Sequence, residues 1–263
     1  MDNQHMLSSG AIASTELVMR GSLIEESYSL FRQWDFAASQ TENMAQLARS
    51  NVISARSESW NKKVLSEFRR RFDVEDRDRG LALLAHQGCA LDVWRPLLLW
   101  HLFRSDVLLR DFMTTWLFDQ YSQGVSVVRA PDVWPYLDEL HTRGLTIGAW
   151  SHKTVTRVAS QLLHFAADFG LMTGRLAREF ASYHLPDESF LYLLHAMVEL
   201  QPNAREVVHS PDWRVFLMDA DDVERELFRL HQFRRVHYEV AGSLAQLKLP
   251  CASAADYVRE MLT

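Results

Sequence analysis

Two patterns in this sequence put chemically capable residues at useful spacing: cations interleaved with hydroxyls along helical arcs, and a short run of carboxylates. The first cationic arc lies in 57–72, SESWNKKVLSEFRRRF. At about 100° per residue, Ser59, Lys62, Lys63, Ser66, Arg69 and Arg70 share one face, while Trp60, Val64, Leu65, Phe68 and Phe72 share the other. Glu58 falls in the first turn, where it complements the helix dipole, and Glu67 sits at the edge of the polar arc. A basic, hydroxyl-bearing face with no acid at its centre suits a polyanion; the alternative is an ordinary solvated helix face. A second such arc runs through 151–169, with Lys153, Thr156, Arg157, Ser160 and His164 outward and Val155, Val158, Leu162, Phe165 and Phe169 inward. Asp168, at its far end, is its one acid, and Arg175 and Arg178 follow. The carboxylate run is Asp219, Asp221, Asp222 and Glu224. It has the donors for a divalent cation, but acids at the start of a helix need no metal, and it reads as a helix start.

Other reactive residues do not assemble into a motif. Cys89 lies near His86 and His101 in the sequence, but a structural zinc site needs about four ligands at workable spacing, and no partner pair is present. The eleven histidines are scattered singly. There is no phosphate-cradling glycine loop, Gly-x-Ser-x-Gly elbow or His-Glu-x-x-His. The expectation is a binding protein rather than an enzyme, with no cofactor and no metal.

The elements that position the two arcs follow from periodicity. Residues 1–14 have no period and read as a flexible start. Leu17, Leu23, Ile24, Ser27, Tyr28 and Phe31 recur at helical spacing through Trp34, with Gly21 and Ser22 marking either a break or a close helix crossing. Thr41 is positioned to cap a short helix to about residue 50, with Met44, Leu47 and Ala48 inward. A turn over 51–55 then leads into the first basic helix. Short helix, turn, basic helix is a helix-turn-helix order, in which Ser59, Lys62 and Lys63 would meet base edges and Arg69, Arg70 and Arg71 phosphates. The stretch 77–121 is a strongly apolar helical core, in which Trp94, Trp100, Phe103, Phe112, Trp116 and Phe118 read as packing rather than as a stacking platform. The pattern then recurs: a short β-branched run at 125–128, a helix from Pro131 to about 142, a glycine-containing turn, and the helix capped by Ser151. Gly170 and Gly174 bracket a small hairpin or loop, an order that suggests a winged helix. Beyond it, a helix over 185–200 with a capping box at Asp187, a helix ending near Phe233, two short strands or a strand and a loop over 235–249, and a last helix over 253–262 complete the chain.

Composition bounds these readings. The chain has 263 residues, 48% hydrophobic and 24% charged, with only ten Gly and seven Pro, which favours a soluble, mainly α protein. Two unpaired cysteines with no ligand-like spacing fit a reduced, cytoplasmic setting, and no run approaches the roughly 20 apolar residues of a membrane span. Net charge is −6 but segregated: 41–72 holds seven Lys/Arg against three acids, and 203–226 holds three Arg against seven acids. One end attracts a polyanion and the other repels it. The regions expected are 1–14 as a flexible start, 15–75 as a helix-turn-helix-like region, 76–200 as a helical core with a second, winged one, and 201–263 as an acidic region packed on the core.

Several short signatures carry a resemblance. Gly21-Ser22-Leu23 with Glu26 and Ser27, LLRDFMTTW over 108–116, Trp150-Ser151-x-x-Thr154 in a helix closing at Gly170-Leu171, and YEVAGSLAQLKLP over 238–250 together resemble the BrxA family of BREX phage-exclusion systems. Ser22 departs from the family pattern, where a second glycine is common, and this bears only on a local helix crossing. The resemblance implies a mainly α protein with helix-turn-helix elements that binds double-stranded DNA beside a methyltransferase, an ATPase and other BREX proteins. It supplies no catalytic residues. A monomer is expected. The competing reading is a scaffold for partner proteins that uses the acidic 212–226 surface or exposed aromatics. RNA is disfavoured because no RNP-like aromatic strand is present and A-form grooves do not admit a recognition helix.

Overall fold

The computed structural model describes residues 12–242 and 244–261 and is mainly helical. Its core is built on α6 (Leu91–Ser105), which is apolar on every side: Trp94 and all residues from Pro96 to Phe103 are buried. A helix with no polar face must be surrounded. Around it lie α2 (Ile24–Arg32), α5 (Arg79–His86) and α11 (Asp187–Leu200), preceded by α1 (Glu16–Arg20) and, between α2 and α5, by α3 (Gln40–Ser50) and α4 (Glu58–Arg71). Phe31 of α2 meets Phe68 of α4, Phe72 and Trp94 edge-on at centroid distances of 4.8, 4.9 and 6.0 Å, which ties the first basic helix to the core. The core aromatics singled out in the sequence are packing residues: Trp94, Trp100, Phe103, Phe112 and Phe118 are buried and Trp116 half-buried.

After α6 the chain continues as α7 (Val107–Asp111), a π-helical turn over Phe112–Leu117, and α8 (Phe118–Ser122). Thr114 and Thr115 donate their hydroxyls to the carbonyls of Arg110 and Asp111, four residues back, which accounts for the widened turn. Next come α9 (Ala130–Thr142), α10 (His152–Asp168) and an antiparallel hairpin of β1 (Met172–Gly174) and β2 (Arg178–Phe180). The expected strand at 125–128 reduces to a bridge in which Val128 and Arg178 exchange backbone bonds at 2.8 and 2.9 Å. The C-terminal part holds α12 (Ala204–Val208), a 3-10 turn (Pro211–Phe216), α13 (Ala220–Gln232), a second hairpin of β3 (His237–Ala241) and β4 (Leu244–Lys248), and α14 (Ala254–Met261).

Several local expectations are corrected. Ala13 is buried and donates to the Leu145 carbonyl at 2.7 Å, so 12–14 belong to the fold, while 1–11 lie outside the described residues. Gly21 and Ser22 mark a break between α1 and α2, with Leu23 in the left-handed region at φ 51°. Ser39, not Thr41, caps α3, in a capping box with Glu42, and Ala48 is exposed while Asn43 is buried in its place. No capping box forms at Asp187: Pro186 precedes α11, and the Asp187 carboxylate is drawn to Arg229 instead. Asp212 leaves the acidic surface altogether, buried where it accepts from Arg110 at 2.9 Å and Trp100 at 3.3 Å.

Candidate nucleic-acid interface

The first basic face is held by two local devices. Ser57 caps α4 by accepting from the Trp60 amide at 3.2 Å, and Asn61, buried, donates to the Ala48 carbonyl at 3.3 Å and so pins α4 to the end of α3. Ser59, Lys62, Lys63, Ser66, Arg69 and Arg70 are all exposed. Their charges are not equally available. Lys62 pairs with Glu58 at 2.6 Å, and this hydrogen bond holds the Glu58 carboxyl below its ordinary range. Arg70 reaches Glu67 at 2.8 Å and Glu16 at 3.5 Å. Lys63 and Arg69 make no ion pair among the described residues. Glu67 itself is buried, not at the rim, and also holds Arg20 at 3.2 Å.

Arg71 does not join Arg69 and Arg70 as a phosphate contact. It is buried and donates to the carbonyls of Ser22, Leu17 and Gly21 at 3.2, 3.3 and 2.9 Å. Burial lowers its pKa to about 10, partly offset by Glu67. The guanidinium thus satisfies the carbonyls that end α1 and fixes α4 to the α1–α2 break.

The second basic face is held by Ser151, which accepts from the Thr154 amide at 3.2 Å. Val155, Val158, Leu162, Phe165 and Phe169 are buried; Lys153, Arg157, Ser160 and His164 are exposed and Thr156 half-exposed, its hydroxyl donating to the His152 carbonyl at 2.9 Å. Beyond α10, the hairpin tip carries Arg175 and Leu176 into solvent, Leu176 at 92% exposure. Gly174 makes the tip possible: its φ is +85°, and a Cβ there would stand 2.3 Å from the Ala177 carbonyl oxygen. Arg178, expected to be a contact, is buried under this tip, donates to the Gly174 carbonyl at 3.2 Å, and faces His164 Nδ1 at 3.5 Å. Burial lowers its pKa. Its role is to support the hairpin.

The α1–α2 break joins the two faces. Ser22 donates to Asp168 of α10 at 2.7 Å while its carbonyl accepts from Arg71 of α4. A groove opens here, lined by residues of the break together with Trp60, Gln161, His164 and Asp168. Trp60 and Gln161 are not singled out by periodicity as site residues. Trp60 falls on the inward arc but in the first turn of α4, ahead of the core; Gln161 lies beside Arg157 and His164, and widening the outward arc by one position would have included it.

Other reactive residues are occupied structurally. Asp78, fully buried, accepts from His101 Nδ1 at 2.6 Å and from Arg77, and His101 Nε2 shares a hydrogen bond of 3.1 Å with the Tyr192 hydroxyl. Burial would raise the Asp78 pKa, but the bonds from His101 and Arg77 bring it below its ordinary value. Gly80 permits this arrangement, because a Cβ there would stand 3.0 Å from the Tyr192 hydroxyl. His86 meets Phe36 edge-on, and burial pushes the Cys89 thiol up to about 11. Asp219 and Asp222 form a capping box at the start of α13. Among the described residues, no group of three or more His, Cys, Asp or Glu is placed to hold a metal ion, and no helix is long and apolar enough to cross a membrane.

No curated protein and no solved structure matches the chain. A family model described as BrxA matches residues 14–196, well over half of the sequence. The matched span contains both basic helices, the break between α1 and α2 and the hairpin that follows α10, and on it the chain belongs to the BrxA family.

Proposed function

We propose that the protein is a non-enzymatic accessory component of a BREX phage-defence system that binds double-stranded DNA in the cytoplasm as a monomer, beside partners such as the system's methyltransferase and ATPase. The observation that carries this reading is the pair of exposed faces on α4 and α10, each basic, each rich in hydroxyls, and each the second of two consecutive helices. The bridge at Val128, α9, α10 and the β1–β2 hairpin follow one another in the order of a winged helix-turn-helix, with Arg175 at the wing tip. Such a helix enters the major groove with its early outward residues at base edges, which assigns that role to Ser59, Lys62 and Lys63 on α4 and to Lys153, Thr156 and Arg157 on α10. Ser66, Arg69, Arg70, Ser160, His164 and Arg175 then lie along the phosphates.

A gel-shift titration with duplex DNA, single-stranded DNA and duplex RNA, repeated over a salt series, tests this. Duplex DNA is expected to bind tightest, with the logarithm of affinity falling linearly with the logarithm of salt. The scaffold reading has its own observation, exposed apolar side chains in the C-terminal part: Phe233 at 68% exposure where α13 ends, and Leu244 at 75% beside Asp221 in the acidic first turn of α13. Absence of duplex binding at low salt, together with salt-tolerant capture of a BREX protein, would favour it.

A further inference from the structure

Trp60 differs from the other tryptophans. Trp34, Trp94, Trp100 and Trp213 are buried and Trp116, Trp134 and Trp150 half-buried, whereas Trp60 is 36% exposed. The rest of the inward arc of α4, Val64, Leu65, Phe68 and Phe72, is buried. The charged group over the Trp60 ring is the Lys63 ammonium, 5.5 Å from its centroid. The ring stands at a groove of about 490 Å³ between the α1–α2 break and the C-terminal half of α10.

The groove is polar. Glu25, Glu26 and Asp168 bring carboxylates to the groove, Gln161 a carboxamide, His164 an imidazole and Arg20 a guanidinium already paired with Glu67. Carboxylates repel a phosphate, but they accept hydrogen bonds from the amino group of cytosine, and a glutamine side chain pairs with the edge of adenine. An exposed indole offers any base a stacking surface. Lys62, Lys63 and Arg69 on α4, and Lys153 and Arg157 on α10, are exposed cations on the two helices that contribute Trp60 and Gln161 to the groove. The groove therefore suits a nucleobase, and the basic helices that flank it suit the DNA that carries it.

We infer that this groove is a base-binding site: an unpaired nucleobase of DNA enters it and stacks on Trp60. A base inside an intact duplex is held by pairing and stacking, so the occupant comes from a bulge, a mismatch or a single-strand junction, where extrusion costs least. The inference rests on the reading of α4 and α10 as DNA-binding faces and adds a ligand that a recognition helix alone does not select.

The experiment compares a fully paired duplex with the same duplex carrying one unpaired adenine at its centre. The wild type is expected to bind the bulged duplex more tightly. Trp60→Ala lowers that affinity about tenfold, the loss of one stacked base, and leaves the paired duplex and its salt slope unchanged. Trp60→Phe retains most of the preference. With 2-aminopurine as the unpaired base, the wild type quenches its fluorescence and Trp60→Ala does not. Retained binding of the paired duplex shows that the variant is folded. The base site is overturned if the wild type binds both DNAs equally, if Trp60→Ala weakens both alike or neither, or if quenching is absent. If the wild type binds neither DNA, the DNA-binding reading fails as well.

Discussion

Arg69, Arg70 and Arg71 are neighbours in sequence with three different environments: the first is exposed and unpaired among the described residues, the second is paired with Glu67 and Glu16, and the third is buried on three carbonyls. Their difference follows from angle. Arg71 is seven residues from Val64, so it falls within about 20° of that buried valine on the helix wheel, and Asn61 stands in the same relation to Phe68. Both are buried, and the period that assigned the apolar arc already placed them on it. Removing Arg71 strips three backbone carbonyls of a charged donor and leaves Glu67 without its inner partner. Arg71→Ala is therefore expected to cost about 3 kcal/mol in urea unfolding. Arg71→Lys should recover only part of this, because a compact ammonium lacks the spread of the two guanidinium nitrogens that serve these carbonyls. Wild-type stability with weakened DNA binding in Arg71→Ala would instead make this arginine an exposed phosphate contact. Arg178 is a different case. Its burial depends on the backbone bridge to Val128, fifty residues earlier, and on the fold of a tip closed by Gly174, so its neighbours in sequence gave no sign of it.

Among elements, most of those whose ends are set by their own residues were legible, α3 excepted, where Ser39 and Glu42 form the cap expected at Thr41. Ser57 and Ser151 cap α4 and α10 where the periodicity begins, and Pro131 stands in the first turn of α9. Ends that depend on distant partners were not. Asp187 has the position of a capping residue, but Arg229, forty-two residues on, takes its carboxylate. The run from α7 to α8 is locally periodic, and only the threonine hydroxyls bonding back to Arg110 and Asp111 reveal its π turn. For the hairpin, Gly170 and Gly174 gave the stop and the turn, while the third strand position at Val128 is a long-range pairing that no local rule supplies. Gly174 allows a test at this scale. Gly174→Ala forces an L side chain to φ +85° and into the Ala177 carbonyl, which is expected to cost about 1–3 kcal/mol and to displace Arg175. If Arg175 meets a phosphate, the salt slope of DNA binding becomes shallower by about one unit. An unchanged slope in a folded variant would remove the hairpin tip from the interface.

At the scale of the molecule, charge and architecture separate the two ends. The basic helices lie within the span that the family model matches, whereas the acidic start of α13 and the second hairpin lie beyond it. Inside that span both helices are fastened to one break: Arg71 of α4 holds the carbonyls of Gly21 and Ser22, and the Ser22 hydroxyl holds Asp168 of α10. Their relative position is therefore fixed, and on the proposed DNA-binding reading one duplex could meet both faces. Lys62→Ala with Lys63→Ala, and separately Lys153→Ala with Arg157→Ala, should each lower duplex affinity and shallow the salt slope by about one unit for every phosphate no longer neutralised. The first pair should shallow it by less than about two units, because Lys62 already shares its charge with Glu58 at 2.6 Å. Because the pairs lie on separate helices, the fourfold variant should lose the sum of the two free energies, to within about 0.5 kcal/mol. If changing Lys153 and Arg157 leaves affinity and slope untouched, α10 faces a partner protein or only the core, and DNA meets the molecule on α4 alone. If each pair weakens binding but the fourfold variant is no weaker than the worse pair, the two helices serve alternative modes of binding and do not clasp one duplex.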